Sequence, residues 1–198
     1  IKYSEKILHR YFHEFWHNDK ELHDKLGISN VKKILKPMVV YGDTDSNYVT
    51  FQEVVASCNW EGDPKELILQ INKHRLNDYL KNCFKVYAEK WKTENYQDFE
   101  LETLAQNGIF LGKKKYVTNL VYSDGVHMDP LSSLKFTGVE MIKGGTPTFV
   151  REKLVYLTRF IFSKGRNFNL REFTQELKSI KKEFKSTILQ NNRKLLTF

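Results

Sequence analysis

The chain has 198 residues, of which 40% are hydrophobic and 14% aromatic, so it can bury a core and wholesale disorder is excluded. Its formal net charge of +8 at pH 7 favours a polyanionic partner, nucleic acid before membrane. No apolar run is long enough to span a bilayer, no segment resembles a signal peptide, and Cys58 and Cys83 lack CxxC spacing, which predicts reduced thiols in a cytoplasmic protein.

Residues 1–18 are predicted to form a helix with one broad apolar face. That face consists of Tyr3, Ile7, Leu8, Tyr11, Phe12, Phe15 and Trp16. Histidines recur beside it at positions 9, 13 and 17, with His23 beyond. A metal-binding ladder is one interpretation, but zinc sites usually also recruit cysteine or a carboxylate, and we favour a polar flank that faces nucleic acid or solvent. Residues 18–30, rich in Asp, Lys and Gly, are predicted to be a loop.

The next pattern is typical of a β-hairpin. Strand-favouring residues at 38–40 and 48–51 flank Gly42-Asp43-Thr44-Asp45-Ser46, which supplies turn residues. Asp43 and Asp45 repel each other and add nothing to a core, so a bound cation is the natural reason for the pair. Such hard oxygen ligands suit Mg²⁺, with Mn²⁺ as an alternative, and the ion completes its shell with water and substrate phosphates.

After a turn at 57–62, a long helix is predicted to begin at Asp63, with Pro64 in the first position and Glu66 completing a capping box. Its predicted buried stripe is Ile68, Ile71, Leu76, Tyr79, Leu80, Cys83, Tyr87 and Trp91. Two strands should follow, 99–105 and 116–122, with a turn at Asn107-Gly108. In that interpretation Glu100 and Glu102 lie on one face of the first strand.

Three cations, Lys113, Lys114 and Lys115, stand before the aromatic Tyr116 at the start of the second strand. Three adjacent cations are costly unless phosphates or solvent accept them, and the aromatic ring offers a rigid surface that can contact sugar or backbone. A further turn is predicted at Asp124-Gly125, and a short strand at 134–140.

The C-terminal part is predicted to hold two helices. Thr146 should cap the first, with Pro147 at its first position and Gly165 ending it; Asn169 with Glu172 should cap the second. The expected inner stripe of the first is Val150, Leu154, Leu157 and Ile161. That of the second is Phe173, Leu177, Ile180, Phe184 and Ile188.

One six-residue segment carries a specific resemblance. Tyr41, Gly42, Asp43, Thr44, Asp45 and Ser46 match motif C of the family B DNA polymerases, and the surrounding chain resembles the replicative polymerases of T-even-type bacteriophages. The resemblance implies nucleotidyl transfer from a dNTP to a primer 3′-hydroxyl with two Mg²⁺ ions. It makes Asp45 the metal-bridging carboxylate and Asp43 a weaker partner. Tyr41, Gly42, Thr44 and Ser46 would support the hairpin.

A second segment, Gly112 to Tyr116, resembles the Gly-Lys-Lys-Arg-Tyr segment of the same family, with Lys115 where Arg is commoner. The resemblance implies that Lys113, Lys114, Lys115 and Tyr116 contact the primer–template duplex behind the primer end. It also implies that Glu102 lies near the metal site, although a solvated strand carboxylate explains this residue nearly as well. The segment 135–140 is similar to the family's Lys-x-x-Gly-x-Glu.

The resemblance implies an α+β fold, with residues 1–140 as the C-terminal part of a palm and 141–198 as the base of a thumb. The motif A aspartate and motif B helix of the family do not occur in the sequence, and the chain opens on Ile1 within a helical pattern. We therefore expect a piece of a longer polymerase, or one half of a split enzyme whose partner carries motifs A and B, acting in the cytoplasm of a phage host. Clamp binding stays open, since the family's clamp-binding tail would follow residue 198.

Other interpretations remain open for the two aspartates. A tight polar turn would explain them without any ligand. Asp-x-Asp after apolar residues also describes the nucleotide-sugar site of many glycosyltransferases, but that fold needs a βαβ run that residues 1–38 do not supply. A non-catalytic duplex-binding module is the third alternative.

Overall fold

The computed structural model describes residues 1–189 and confirms an α+β fold in which the described strand pairs are all antiparallel. The chain divides into two compact units, residues 1–102 and a second that begins at Thr103. None of the helices in the described part of the chain is long and apolar enough to cross a membrane.

The first unit opens with the predicted helix. Helix α1 (Lys2–Arg10) continues as a π-helical turn (Tyr11–Phe15) and a 3₁₀ turn (Trp16–Asn18), which confirms a helix over residues 1–18. Most of its predicted apolar face packs in the core: Phe12 and Trp16 are fully buried, and the Trp16 indole N–H donates to Ser57 Oγ at 2.8 Å. The prediction is wrong for Phe15, which is 38% exposed.

The predicted loop at 18–30 is wrong, because a short helix α2 (Lys20–Leu26) occupies most of it. The Asp19 carboxylate accepts a hydrogen bond from the Leu22 N–H at 3.3 Å. Gly27, at φ +66°, ends the helix in the left-handed conformation. An aspartate at the N-cap and a glycine after the C-terminus both favour a helix. In this segment they decide the structure, although its polar composition is typical of a loop.

A two-stranded sheet, β1 (Val39–Asp43) with β2 (Ser46–Val49), confirms the predicted hairpin. Four helical segments follow: α3 (Gln52–Ser57), α4 (Pro64–Ile71), a π-helical turn (Asn72–Leu76) and α5 (Asn77–Lys90). The predicted cap is confirmed, since Asp63 Oδ1 accepts from the Lys65 N–H at 2.9 Å and Pro64 is the first helical residue.

The π-helical turn shifts the buried face of this long helix. The buried side chains are Leu67, Ile71, Leu76, Leu80, Phe84 and Ala88. The step from Ile71 to Leu76 is five positions, whereas every other step is four. The predicted stripe is therefore confirmed at Ile71, Leu76 and Leu80. It is wrong at Tyr87 and Trp91, which are 41% and 63% exposed.

The second unit contains a four-stranded sheet organised around one strand. It consists of β3 (Thr103–Gly112), β4 (Lys115–Ser123), β5 (Val126–His127) and β6 (Leu134–Thr137). Strand β4 pairs with each of the other three. The predicted turn at Asp124-Gly125 is confirmed: both residues have positive φ, and the β4–β5 hairpin closes across them.

The turn predicted at Asn107-Gly108 is wrong. Strand β3 runs through these residues, which pair with Asn119 and Thr118 of β4. A Cβ on Gly108 would lie 3.2 Å from Thr118 Cγ2, so glycine serves close packing beside the bulges of β3. The strand also starts later than predicted, and residues 99–102, with Glu100 and Glu102, precede it.

A 3₁₀ turn (Glu140–Ile142) and helix α6 (Thr148–Lys164) follow the sheet. A second 3₁₀ turn (Gly165–Asn167) connects α6 to helix α7 (Leu170–Leu189). Gly165 ends α6 as predicted, and Asn169 Oδ1 caps α7 through the Arg171 N–H at 2.8 Å. The predicted Thr146 cap is wrong: its hydroxyl donates to the Glu140 carbonyl, and Pro147 takes the N-cap position.

The predicted inner stripes of α6 and α7 are partly confirmed. In α6, Leu157 is buried as expected, but the other buried side chains are Phe149, Thr158 and Phe162, and the predicted Val150, Leu154 and Ile161 are half-buried. In α7 the predicted Phe173, Leu177, Ile180 and Phe184 are half-buried, whereas Ile188 is 48% exposed.

The boundary between the two compact units falls in the chain between Glu102 and Thr103, whereas the predicted palm–thumb boundary falls at 140/141. The reason is packing: Phe162 of α6 shares a buried cluster with Val117 of β4 and Val139, so the helix belongs with the sheet. The assignment of palm and thumb stays a prediction, and its residues 190–198 lie outside the described part of the chain.

Candidate functional site

The β1–β2 hairpin brings the predicted acidic residues to its tip. Asp43 pairs with Ser46 as the last rung of the ladder, and Thr44 and Asp45 form the two-residue turn. Two rungs below, the rings of Tyr41 and Tyr48 lie 5.5 Å apart across the strands. A bulge between Val39 and Tyr41 bends β1, as bulges beside functional sites often do.

The turn is strained. Thr44 has φ +41°, a left-handed conformation that is an outlier for a β-branched residue. Two hydrogen bonds hold it: Thr44 Oγ1 donates to Asp43 Oδ1 at 3.1 Å, and Ser46 Oγ donates to the Asp43 carbonyl at 3.2 Å. Strain of this kind persists only where the surroundings over-determine it, and it clusters at functional sites.

The two carboxylates differ in environment. Asp43 is half-buried and accepts the Thr44 hydroxyl, while Asp45 is exposed. Neither forms an ion pair within residues 1–189. One half-buried and one exposed carboxylate without a protein cation fit a divalent ion that takes one or two carboxylates and completes its shell with other oxygens.

Glu102 is not brought into this site as a preassembled ligand. It is exposed at the end of the first unit, and the described residues contain no group of three His, Cys, Asp or Glu side chains arranged to hold a metal. A role of Glu102 at the metal stays a prediction.

Helix α1 supports the hairpin from below. Asn47 of β2 donates through Nδ2 to the buried Ser4 Oγ at 2.7 Å. Gly42 lies opposite Asn47, and a Cβ there would come within 3.3 Å of Asn47 Oδ1 and 3.8 Å of the Ile1 side chain. The glycine of the motif therefore leaves the space in which this bond forms.

The histidines at positions 9, 13, 17 and 23 were predicted to lie on a polar flank that faces nucleic acid or solvent, and this is wrong for His9 and His23. His9 Nε2 accepts hydrogen bonds from the backbone N–H groups of Met38 and Val39, at 3.0 and 3.1 Å. His23 is buried, with Nε2 at 2.8 Å from the Trp16 carbonyl. The spacing of four residues between the histidines was the sequence signal that singled out His9, but the sequence does not show which groups it contacts.

In the second unit, the cationic segment forms the turn between β3 and β4 and, at Lys115, the first residue of β4. Gly112 pairs with Lys115, and Lys113 and Lys114 make the two-residue connection between β3 and β4, with Lys114 at φ +57°. All three lysines are exposed, and Lys113 and Lys115 have no acidic partner among residues 1–189. The turn thus presents cations that a polyanion can pair with.

Tyr116 does not offer an open surface. It is only 8% exposed, and its ring lies 5.7 Å from that of its strand partner Phe110. The aromatic residue of the segment therefore supports the turn from inside the hairpin. The contact of Tyr116 with DNA stays a prediction, and the burial of its side chain disfavours it.

Gly138, predicted to lie in the strand 134–140, instead follows the end of β6 at Thr137. It has φ +60°, and a Cβ added to it would lie 2.0 Å from the Lys114 carbonyl oxygen. Since side chains never approach a backbone oxygen that closely, only glycine lets the end of β6 pass under the cationic turn. The Gly of the segment 135–140 was the signal that could have identified it.

Helix α7 has an acidic inner side and a basic outer side. Its three glutamates all bond to α6: Glu172 to Lys164 at 2.9 Å, Glu183 to Lys153 at 2.7 Å, and Glu176 to the Tyr156 hydroxyl at 3.0 Å. Four exposed lysines of α7 have no acidic partner among residues 1–189: Lys178, Lys181, Lys182 and Lys185. We call these four the α7 lysine face.

In comparisons with known proteins, no family model and no curated protein matched this chain.

Proposed function

We propose that this chain is the part of a family B DNA polymerase that holds motif C, acting in template-directed transfer of a nucleotide to a primer 3′-hydroxyl. The observation that supports this most is the strained hairpin tip, which presents Asp43 and Asp45 without a protein cation. A turn that served folding alone would favour glycine or asparagine at the position of Thr44.

Asp45 is the proposed principal metal-holding residue because it is exposed at the apex, and Asp43 is the second. Bound Mg²⁺, or Mn²⁺ in its place, would acidify the primer hydroxyl and neutralise the leaving pyrophosphate. The chain's own contribution is to orient the carboxylates: Thr44 and Ser46 bond to Asp43, and Asn47 ties β2 to α1.

The proposed polyanionic partner is primer–template DNA. The cationic turn at Lys113–Lys115 and the α7 lysine face supply exposed ammonium groups, and such contacts to phosphates bind DNA without regard to sequence. The buried Tyr116 keeps the turn in place.

Other parts of the proposed enzyme lie on a second polypeptide segment. The sequence lacks the motif A aspartate and motif B helix, so the dNTP would be gripped by a partner half that carries them. The proposed location is the cytoplasm, that of the host if the protein is phage-encoded.

The cationic turn and the α7 lysine face also favour a second candidate, a non-catalytic module that binds duplex DNA. The Asp-x-Asp glycosyltransferase is disfavoured, since residues 1–38 contain two helices and no strand, and the described strand pairs are all antiparallel.

Reconstitution distinguishes these functions. The chain alone should bind primer–template yet incorporate no nucleotide, and extension should appear when a polymerase half with motifs A and B is added with Mg²⁺. Duplex binding without any extension under these conditions would favour the non-catalytic module. Extension by the chain alone would show that the missing motifs are not needed.

A further inference from the structure

His9 connects α1 to the point where the hairpin begins. Its Nε2 accepts from the N–H groups of Met38 and Val39, and Val39 is the first residue of β1. The Thr50 N–H, just after β2, donates to the Met38 carbonyl at 2.7 Å. The base of the hairpin is therefore closed at the residues that His9 holds.

Only a neutral imidazole can make this contact. The accepting Nε2 must be unprotonated, which places the ring proton on Nδ1. A protonated ring would turn its own N–H toward two backbone N–H donors. Both hydrogen bonds would then be lost together, and three donors would face one another.

The groups around His9 are few. The His13 ring stacks on it with 5.4 Å between centroids, and His13 Nε2 lies 2.9 Å from the Lys36 carbonyl. Glu5 lies one turn earlier on α1, and the Lys36 ammonium is paired with Glu53 at 2.7 Å. Burial and then His13 lower the pKa of His9 below its ordinary value of 6.5, and Glu5 opposes this.

We propose that neutral His9 is a positioning residue for the β1–β2 hairpin, and that its protonation releases the base of β1 and with it the placement of Asp43 and Asp45. The effect of His9 on catalysis rests on the proposed function, whereas its hydrogen bonds to the base of the hairpin do not depend on it. Because the pKa of His9 is lower in the folded chain than in the unfolded one, its stabilising contribution is complete above pH 6.5 and declines as the pH falls below that value.

Hydrogen exchange of the Met38 and Val39 amides measures the hold directly in the full chain. His9→Leu removes the acceptor, and His9→Gln keeps an acceptor near the position of Nε2 that does not titrate. We expect the protection factors to fall about tenfold or more in the leucine variant and to stay close to wild type in the glutamine variant. His127→Gln, at an exposed histidine of β5 in the other unit, is the matched control and should change neither amide.

Acidification gives a second readout that survives misfolding of the leucine variant. Wild-type protection at these two amides should drop as the pH falls below 6.5, more than at the amides of β4, while in His9→Gln it should not. Equal protection in the wild type and the leucine variant would overturn the proposal. So would an acid response in His9→Gln as large as that of the wild type.

In the reconstituted polymerase, His9→Leu should lower kcat and leave KM for primer–template unchanged, and His9→Gln should restore kcat and remove the acid limb of the pH profile. Wild-type kcat in His9→Leu would overturn the role in positioning the carboxylates. If no combination of halves extends a primer, the proposed function fails, while the exchange result still decides what His9 does.

Discussion

Replacing Gly138 with alanine is the sharpest test of how the cationic turn is held. The added Cβ would lie 2.0 Å from the Lys114 carbonyl oxygen, and contacts under 3.0 Å are essentially never seen. The end of β6 or the turn must therefore move by about 1 Å or more. Alanine at φ +60° is strained even without this clash.

Gly125→Ala is the matched control because Gly125 has φ +88° in the same sheet with no atom within 4 Å of an added Cβ. The conformational penalty alone should cost about 1–2 kcal/mol, whereas the clash should raise the total at Gly138 to about 3 kcal/mol or more.

Unfolding of the second unit is best followed by hydrogen exchange of β4 amides. The three tryptophans, Trp16, Trp60 and Trp91, all lie in the first unit, so tryptophan fluorescence would report on the wrong part of the chain. If Gly138→Ala is no more destabilising than Gly125→Ala, the packing of β6 under the turn is refuted.

Two further predictions follow from the described contacts. Lys113→Ala combined with Lys115→Ala should flatten the dependence of log affinity for primer–template on log salt concentration by about 2, since each neutralised phosphate contributes about 0.9; salt titrations of DNA binding measure it. Arg75→Met should destabilise the first unit by about 1–3 kcal/mol in urea unfolding, because it leaves Asp19, whose side chain is only 10% exposed, without the guanidinium 2.7 Å away.

The lysine and the arginine experiments each have a control within the same chain. Lys114 is left unchanged in the DNA experiment because it interacts with another group of the protein and has a positive φ, so replacing it could disturb the turn itself. An unchanged salt slope would show that the turn does not touch phosphate. For Arg75, the control is Lys81→Met, whose partner Asp98 is 3.8 Å away with both side chains more than half exposed. An equal effect of the two variants would contradict the importance of the Asp19 pair.

Local signals predicted the elements that depend on neighbouring residues alone. Asp63 and Pro64 mark the start of α4, Asn169 caps α7 and Gly165 ends α6, because each acts on the backbone within three residues of itself. The hairpin at Asp43 and Asp45 was predictable for the same reason: its turn residues and flanking β-formers are contiguous.

Features that depend on distant partners were not predictable. Asn107-Gly108 has the composition of a turn, yet β3 continues because Ile109 and Phe110 find partners on β4. The π-helical turn at Asn72–Leu76 moves the buried face, which exposes Trp91. His9 and Gly138 serve contacts with residues 24 or more positions away, and no local pattern records such a contact.

Primer extension by the reconstituted enzyme tests most directly the proposal that Asp45 holds the metal ions of a polymerase. Asp45→Asn preserves the size of a side chain that is exposed and makes no ion pair within residues 1–189, so the fold should be unaffected. Asp124→Asn, at an exposed aspartate with positive φ in the β4–β5 turn, is the matched control. We predict that Asp45→Asn abolishes nearly all extension while duplex binding persists and Asp124→Asn extends normally. Extension within a few-fold of wild type by Asp45→Asn would contradict the account.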